Sequence, residues 1–180
     1  DVITVVGNTG GFSDEQLAKI KSKAEELGSK EHVVLNIENE YYDHCIKYLI
    51  YGNVLKNNTY PLSVSSERYF QARAIAEYAN KIGADALAHG CTGAGNDQVR
   101  FDLVFKLLAP NKEIIALVRD TNLSREDEIA YLRKHGVNSD FTKMEYSINE
   151  GLWGTSVGGK ETLTSHKALP GAAYPSQPTK

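Results

Sequence analysis

The sequence has little of several residue types, and each shortage excludes a class of protein. Only two of its 180 residues are cysteine, Cys45 and Cys91, which is too few for a disulfide framework or a cysteine-based metal cluster. Basic residues do not exceed acidic ones, because 20 Lys and Arg stand against 23 Asp and Glu, for a formal net charge of −3. With no basic excess and no Lys/Arg block, a nucleic-acid partner is not expected.

Long apolar runs and targeting signals are also absent from the sequence. No uninterrupted apolar run is long enough to span a membrane, and residues 1–6 lack the basic flank and cleavage site of a signal peptide. Together with the few cysteines, this predicts a cytoplasmic protein with no membrane partner. The histidines show no spacing typical of metal ligands, so no resident metal is predicted.

Strand-like and helix-like segments alternate along most of the chain. Apolar runs predict strands at residues 2–6, 33–37, 85–89 and 113–118, and helical patterns predict helices at 13–27, 40–50, 65–82, 97–109 and 124–135. Short links between them indicate βαβ units, and hence an α/β fold with a doubly wound parallel sheet. The composition changes after about residue 145, which indicates a linker or the start of another domain. The chain begins directly on a strand without an initiator Met, so we expect it to be an excised piece.

One glycine-rich loop carries more chemical information than any other segment. Residues 89–101 read HGCTGAGNDQVRF, and the glycines allow a ligand to approach the backbone closely. Asn96 or Asp97 is expected to cap the following helix, whose amino-terminal N–H groups favour an anion or a polar ligand. Thr92, Asn96, Asp97 and Arg100 together suit a zwitterionic amino acid. The alternative is a capped αβ loop with an Asp97–Arg100 pair.

Other segments carry weaker signals. The GNTGG run at 7–11 is similar to a phosphate cradle but fits neither a dinucleotide fingerprint nor a P-loop. Residues 154–161 nearly match a P-loop, but Glu161 stands where a Mg²⁺-binding hydroxyl is needed. Cys91 is a possible nucleophile, although a packing role is favoured. The segment at 60–65 places a phenol and hydroxyls before a helix, and it is a second candidate for ligand binding.

The glycine-rich run, with YPLSVS at 60–65 and YSINEGLWGTS at 146–156, resembles argininosuccinate synthase, in particular its bacterial members, over nearly the whole chain. The resemblance implies an incomplete Rossmann-like domain of the adenine-nucleotide alpha-hydrolase type (N-type ATP pyrophosphatase) at 1–143. It implies the beginning of an α+β synthetase domain at 144–180. The implied reaction is ATP-dependent ligation of L-citrulline and L-aspartate to argininosuccinate in arginine biosynthesis, with AMP and pyrophosphate released through a citrullyl-adenylate.

The resemblance also implies site residues, substrates and assembly, but it identifies no catalytic residue. ATP, as substrate with Mg²⁺, would pass close to Gly7 and Gly90. Aspartate would contact Thr92, Asn96 and Asp97. Citrulline would contact Tyr60, Ser65, Asn96, Arg100, Ser147 and Ser156. The family's assembly implies a homo-oligomer, a tetramer.

The sequence departs from the family in three respects. We expect it to lack most of the family's C-terminal synthetase domain. The family's Ser-Gly-Gly-Leu-Asp-Thr-Ser pyrophosphate loop is not present, and Ala94 stands where many members have lysine. In the family's sheet the strand that carries this loop lies between those predicted here at 2–6 and 85–89, so both edges would be unpaired. We therefore expect the 180 residues alone to be inactive. Two alternatives stay open, namely a non-catalytic amino-acid- or nucleotide-binding module and another pyrophosphatase-loop, ATP-dependent enzyme.

Overall fold

A computed structural model describes residues 1–58, 60–91, 95–137 and 146–174. The chain divides into two compact units. The first consists of Asp1–Asn122 with Gly151–Gly154, and the second of Leu123–Glu150 with Thr155–Lys180. The domain boundary predicted at 143/144 stays a prediction. None of the helices in the described ranges combines the length and the apolar character needed to cross a membrane.

Strands and helices alternate in the first unit. Its strands are β1 (Ile3–Asn8), β2 (Glu31–Asn36), β3 (Leu55–Lys56), β4 (Tyr60–Pro61), β5 (Ala86–Ala88) and β6 (Glu113–Ile115). Its helices are α1 (Asp14–Glu26), α2 (Glu38–Tyr41), a π-helical turn (Tyr42–Ile46), α3 (Lys47–Tyr51), α4 (Ser63–Lys81), α5 (Asp97–Leu108) and α6 (Leu117–Thr121).

The other elements lie towards the end of the chain. They are α7 (Arg125–Lys134), β7 (Ser147–Gly151), β8 (Gly154–Gly158) and two 3₁₀ turns (Lys160–Leu163 and Gly171–Ala173). β7 and β8 pair in a two-stranded sheet. The regular structure after residue 145 was not predicted from the sequence, because short strands and 3₁₀ turns leave no helical period.

Two parallel strand pairs confirm the predicted α/β class. β1 pairs with β2 from Ile3 opposite Glu31 to Asn8 opposite Asn36. β5 pairs with β6 in the same parallel sense. Each connection passes through helix, as parallel pairing requires. Within the described ranges β1 and β5 are not hydrogen-bonded to each other, so the pairs form separate two-stranded sheets.

Helix α4 joins the two pairs, since it packs on β1, on β5 and along α5. The face of α4 that makes these contacts carries alanines at helical spacing, which lets the neighbouring backbones approach closely. The buried core of the unit is formed by Ala72, Ala76, Ala79, Leu87, Val104, Phe105 and Ala109. The carboxyl end of β1 and the amino end of α5 are therefore held by one helix.

The predicted starts of three helices are confirmed, but Asn96 does not form the side-chain cap expected before α5. The Ser13 hydroxyl accepts the Gln16 N–H at 3.2 Å, and the Ser124 hydroxyl accepts the Asp127 N–H at 3.2 Å, each within a complete capping box. Asn96 occupies the same position before α5 but makes no side-chain capping bond. Its ψ of −14° is already helical, whereas Ser13 has ψ 160°, and a capping side chain needs that extended backbone.

Two other predicted elements differ from the structure. The strand predicted at 113–118 ends at Ile115, because the Asp120 carboxylate accepts the Ala116 N–H at 3.2 Å and starts α6. The helix predicted at 40–50 is present but is interrupted by the π-helical turn at Tyr42–Ile46. Hydrophobic spacing does not reveal a single-turn change of this kind.

Candidate functional site

A buried hydroxyl–carboxyl contact lies where β1 ends. The Thr9 hydroxyl donates a hydrogen bond to Oε1 of Glu67, in the second turn of α4. Thr9 is 2% exposed and Glu67 is 4% exposed. A Cβ added to Gly151 would lie 3.0 Å from Glu67 Oε1, so backbone also covers the carboxyl group. A carboxyl group in this position is removed from water, which affects its ionisation.

Burial raises the pKa of the Glu67 carboxyl above its ordinary value of 4.5, and the nearby Asp97 carboxylate acts in the same direction. The hydrogen bond from Thr9 and the Arg68 guanidinium oppose this shift without cancelling it. The folded state therefore binds the proton more tightly than the unfolded chain does. As a result, the free energy of unfolding falls as the pH rises above about 4.5, until Glu67 is ionised in both states.

We expect Glu67→Gln to raise the free energy of unfolding near neutral pH, because burial disfavours the charged form of the carboxyl group and the amide is a neutral group of the same shape. The advantage over the wild type should shrink as the pH falls towards about 4.5. Urea denaturation across this pH range measures both effects. Glu77→Gln is a matched control on the same helix, since its side chain is 57% exposed. A Glu67→Gln protein that is less stable than the wild type at neutral pH would contradict this account.

The Asp97 carboxylate at the start of α5 lies between two guanidinium groups. Arg100 Nη1 donates to Asp97 Oδ1 at 2.6 Å, and Arg68 Nε donates to Asp97 Oδ2 at 3.3 Å. The Asp97 side chain is 38% exposed, whereas that of Arg68 is 16% exposed. We call Arg68, Asp97 and Arg100 the arginine–aspartate clamp. Each Asp97 oxygen keeps a further lone pair, so the clamp leaves room for another hydrogen-bond donor such as an ammonium group.

The clamp is linked to the end of β1 through α4. Arg68 Nη1 donates to Gln71 Oε1 at 2.9 Å, and Gln71 Nε2 donates to the Gly7 carbonyl at 3.2 Å. A Cβ added at Gly7 would meet Gln71 at 3.2 Å. The structure therefore brings together three of the predicted site residues, Gly7, Asp97 and Arg100, through side chains of α4.

The sequence did not single out the residues of α4 that make these links. Glu67, Arg68 and Gln71 lie within six residues of the end of the YPLSVS segment. The available signal was a glutamate and an arginine at the start of a helix whose later positions are largely apolar or alanine. Which strand end they face depends on sheet topology, which spacing along the chain does not give.

Gly90 follows β5 and has open space beside it. A Cβ added there would meet no described atom nearer than Val118 Cγ2 at 4.0 Å. In the described part of the chain, neither packing nor a left-handed backbone requires glycine at this position. A ligand could approach the open backbone at this position closely.

The remaining predicted residues are placed less completely. Asn96 is exposed at the amino end of α5, and the Ser65 hydroxyl donates to the Leu62 carbonyl at 3.0 Å within the first turn of α4. Tyr60 lies in β4 and Ser147 in β7, but their side chains are outside the described part of the structure, as is the whole of Thr92. Ser156 is half-buried in β8 of the second unit.

Cys91, which the sequence offered as a nucleophile, does not gain support in that role. Burial, followed by the Asp97 carboxylate, raises the pKa of the Cys91 thiol, which disfavours the thiolate that a nucleophile requires. Among the described residues no group of three or more His, Cys, Asp and Glu side chains could hold a metal ion.

An apolar groove of about 230 Å³ between α4 and α5, lined by Tyr69, Phe70, Arg73, Val104, Leu107 and Leu108, contains none of the predicted site residues.

Comparison with known proteins decides the family. A sequence model described as "Arginosuccinate synthase N-terminal HUP domain" matches residues 1–138. The chain belongs to the argininosuccinate synthase family. This membership confirms the family that the sequence resembles and the Rossmann-like fold class.

Individual relatives agree with this assignment. Argininosuccinate synthase of Methanocaldococcus jannaschii is 38% identical over 151 residues, which cover 84% of this chain and 38% of that protein. The Sulfurisphaera tokodaii protein of the same name is 38% identical over 97% of this chain and 44% of its own length. That of Dictyoglomus turgidum is 43% identical over 88% of this chain and 40% of its own length. The chain thus spans about two fifths of the length of these relatives.

Proposed function

We propose that the polypeptide containing this chain is an argininosuccinate synthase, which ligates citrulline and aspartate at the expense of ATP and releases AMP and pyrophosphate. Family membership supports the reaction class. The single observation that carries the proposal for this chain is the arginine–aspartate clamp at the amino end of α5. It presents a carboxylate for an ammonium group and guanidinium donors for a carboxylate, side by side.

In this proposal aspartate binds at the loop that precedes α5. Asp97 accepts hydrogen bonds from the substrate ammonium group, while Asn96 and Thr92 contribute an amide and a hydroxyl. The position of Arg68 supports this proposal, because Arg68 donates a hydrogen bond to Asp97 Oδ2 while Arg100 donates one to Oδ1. Together the two arginines orient the Asp97 carboxylate. The α5 N-terminus adds N–H groups that favour a negatively charged substrate carboxylate.

Citrulline is proposed to bind next to aspartate. Arg100 binds the citrulline carboxylate, and protein hydroxyl groups and one amide contact the other polar groups of citrulline. The proposed contacts are Tyr60, Ser65, Asn96, Arg100, Ser147 and Ser156. The ureido oxygen attacks the α-phosphate of ATP and pyrophosphate leaves. The aspartate amine then attacks the ureido carbon, and AMP leaves with the former ureido oxygen. Much of the rate acceleration in this proposal comes from holding the reacting groups close together and correctly oriented.

ATP, with Mg²⁺ as its counter-ion, is proposed to lie against the backbone at Gly7 and Gly90. The open space beside Gly90 supports this placement, because no described neighbour explains why a side chain is missing there. Gly7 differs, since Gln71 already occupies the space that its Cβ would take. We also propose that the active protein is a homo-oligomer, a tetramer as in the family.

We expect Gly90→Ala to raise the KM for ATP about tenfold while the melting temperature stays within about 2 °C of the wild type, because the methyl group would meet the nucleotide and not the protein. Gly7→Ala is the comparison, since its methyl group would press on Gln71 and lower the melting temperature. Steady-state kinetics and thermal denaturation measure the two effects. An unchanged KM for ATP in Gly90→Ala would remove Gly90 from the ATP site.

The proposed function is tested by AMP and pyrophosphate formation in the longest polypeptide that the gene encodes. We expect both products to require citrulline, aspartate and ATP together. The isolated 180 residues are expected to form none. Binding of the amino acids by the long polypeptide without any AMP would instead support the alternative of a non-catalytic binding module. AMP formation with an amino acid other than citrulline would contradict the proposed substrate.

A further inference from the structure

A buried histidine connects the glycine-rich loop to helix α5. His89 follows β5 directly, and its side chain is 6% exposed. The ring lies beside two aromatic rings of α5, with centroid distances of 6.0 Å to Phe101 and 6.3 Å to Phe105. Both ring nitrogens have polar partners, so the orientation of the ring is fixed by hydrogen bonds as well as by packing.

The two nitrogens of His89 have different roles. The Cys91 backbone N–H donates to Nδ1 at 3.3 Å, so Nδ1 must carry a lone pair. The ring proton is then on Nε2, which lies 2.9 Å from Asp102 Oδ1 and donates to it. A neutral ring with its proton on Nε2 satisfies both bonds at once.

Asp102 is itself held in place. Arg119 Nη1 donates to Asp102 Oδ2 at 2.6 Å and also approaches Gln98 Oε1 at 3.5 Å. Burial alone would raise the pKa of the Asp102 carboxyl, but hydrogen bonds from Arg119 and His89 outweigh it and the pKa lies below its ordinary value. An ionised Asp102 favours the His89 tautomer with the proton on Nε2.

We propose that His89 is a positioning residue for the aspartate site: the hydrogen bond that its Nδ1 accepts from the Cys91 N–H fixes the start of the glycine-rich loop, whereas the bond to Asp102 contributes to the packing of the ring on α5. Asp97 at the other end of the loop is fixed by the arginine–aspartate clamp. Hydrogen bonds thus hold Cys91 on one side of the loop and Asp97 on the other, and His89 itself contacts none of the proposed substrates. This inference rests on the proposed function for its kinetic consequences, although the hydrogen bonds stand without it.

Two isosteric substitutions separate the two hydrogen bonds. In His89→Asn the side-chain oxygen can take the place of Nδ1 and accept the Cys91 N–H, but it does not reach Asp102. In His89→Gln the amide NH₂ can take the place of Nε2 and donate to Asp102, while no acceptor faces Cys91. The first variant keeps the loop anchor and the second loses it.

In the longest polypeptide that the gene encodes, we expect His89→Gln to raise the KM for aspartate about tenfold, with the KM for citrulline changed less than about twofold, since one hydrogen bond orienting the loop is lost. His89→Asn should keep a near-wild-type KM for aspartate and show the larger loss of melting temperature. His32→Gln is the control, a histidine whose Nδ1 faces Thr4 on β1.

A purely structural role predicts that neither variant changes the KM of the protein that remains folded, and that result would overturn the proposal. An equal rise in the KM for aspartate in both variants would also overturn it, because the Cys91 bond would then not be the cause. Hydrogen exchange of the Cys91 amide, measured by NMR, tests the anchor without any activity. It should accelerate in His89→Gln and not in His89→Asn. If the wild type makes no AMP but the two variants differ in hydrogen exchange in this way, the proposed function is refuted. The role of His89 in fixing the start of the loop is then still supported.

Discussion

Asp97→Ala is expected to raise the KM for aspartate about 100-fold or more, and to raise the KM for citrulline less than about tenfold. The substitution removes the carboxylate proposed to bind the substrate ammonium group, and a charged hydrogen bond lost in a partly buried site has an effect of this size. Citrulline is affected less, because Arg100 and the hydroxyl contacts remain. Steady-state kinetics with each amino acid varied in turn measures the ratio.

The matched control for this prediction is Asp43→Ala. Asp43 also pairs with a cation, Lys47, at 3.1 Å, but its side chain is 58% exposed on the π-helical turn. It should change neither KM, since exposed pairs of this kind contribute little. Equal losses for aspartate and citrulline in Asp97→Ala would contradict the role assigned to Asp97, and would point to general damage to the clamp, because Arg68 and Arg100 would both lose their bond to Asp97.

Phe105→Ala is expected to lower the free energy of unfolding by about 3–5 kcal/mol, because it removes a fully buried aromatic side chain and leaves a cavity. Phe105 is 1% exposed and packs edge-to-face on Phe101 at a centroid distance of 5.6 Å. Urea denaturation measures the loss. If the alanine variant does not fold, Phe105→Leu can be measured in its place. Its expected loss in the free energy of unfolding is about 1.5 kcal/mol.

The control for Phe105 lies on the same helix. Leu107 is 68% exposed, so Leu107→Ala should change the free energy of unfolding by less than about 0.5 kcal/mol. Comparable losses at the two positions would show that α5 does not pack as described. Since α5 also carries Asp97 and Arg100, its packing against α4 determines where the clamp lies.

The predictable part of the fold was the part determined by local chemistry. The β-branched run at the start of the chain predicted β1, and the serines at 13 and 124 predicted helix starts with complete capping boxes. The prediction of a side-chain cap at Asn96 was wrong, because the residue type does not determine the backbone conformation that a capping side chain needs. The end of β6 failed because one side chain, Asp120, turns the chain into a helix that hydrophobic spacing does not indicate.

The site shows the same division between local and long-range information. The Asp97–Arg100 pair was anticipated as the simple alternative to a binding site, and the structure contains it. Arg68 and Glu67 were missed, because they reach Asp97 and Thr9 across elements far apart in sequence. An ion pair and a binding site are compatible here, since the pair orients the carboxylate that we propose for the substrate ammonium group.

Transfer of ¹⁸O from citrulline labelled in its ureido oxygen is the measurement that tests the proposed function most directly. When the longest polypeptide that the gene encodes is incubated with ATP, aspartate and the labelled citrulline, we predict one ¹⁸O atom in the phosphate of each AMP formed. That oxygen can enter AMP only if the ureido oxygen has attacked the α-phosphate. AMP released without the label, or no AMP at all, would contradict the account.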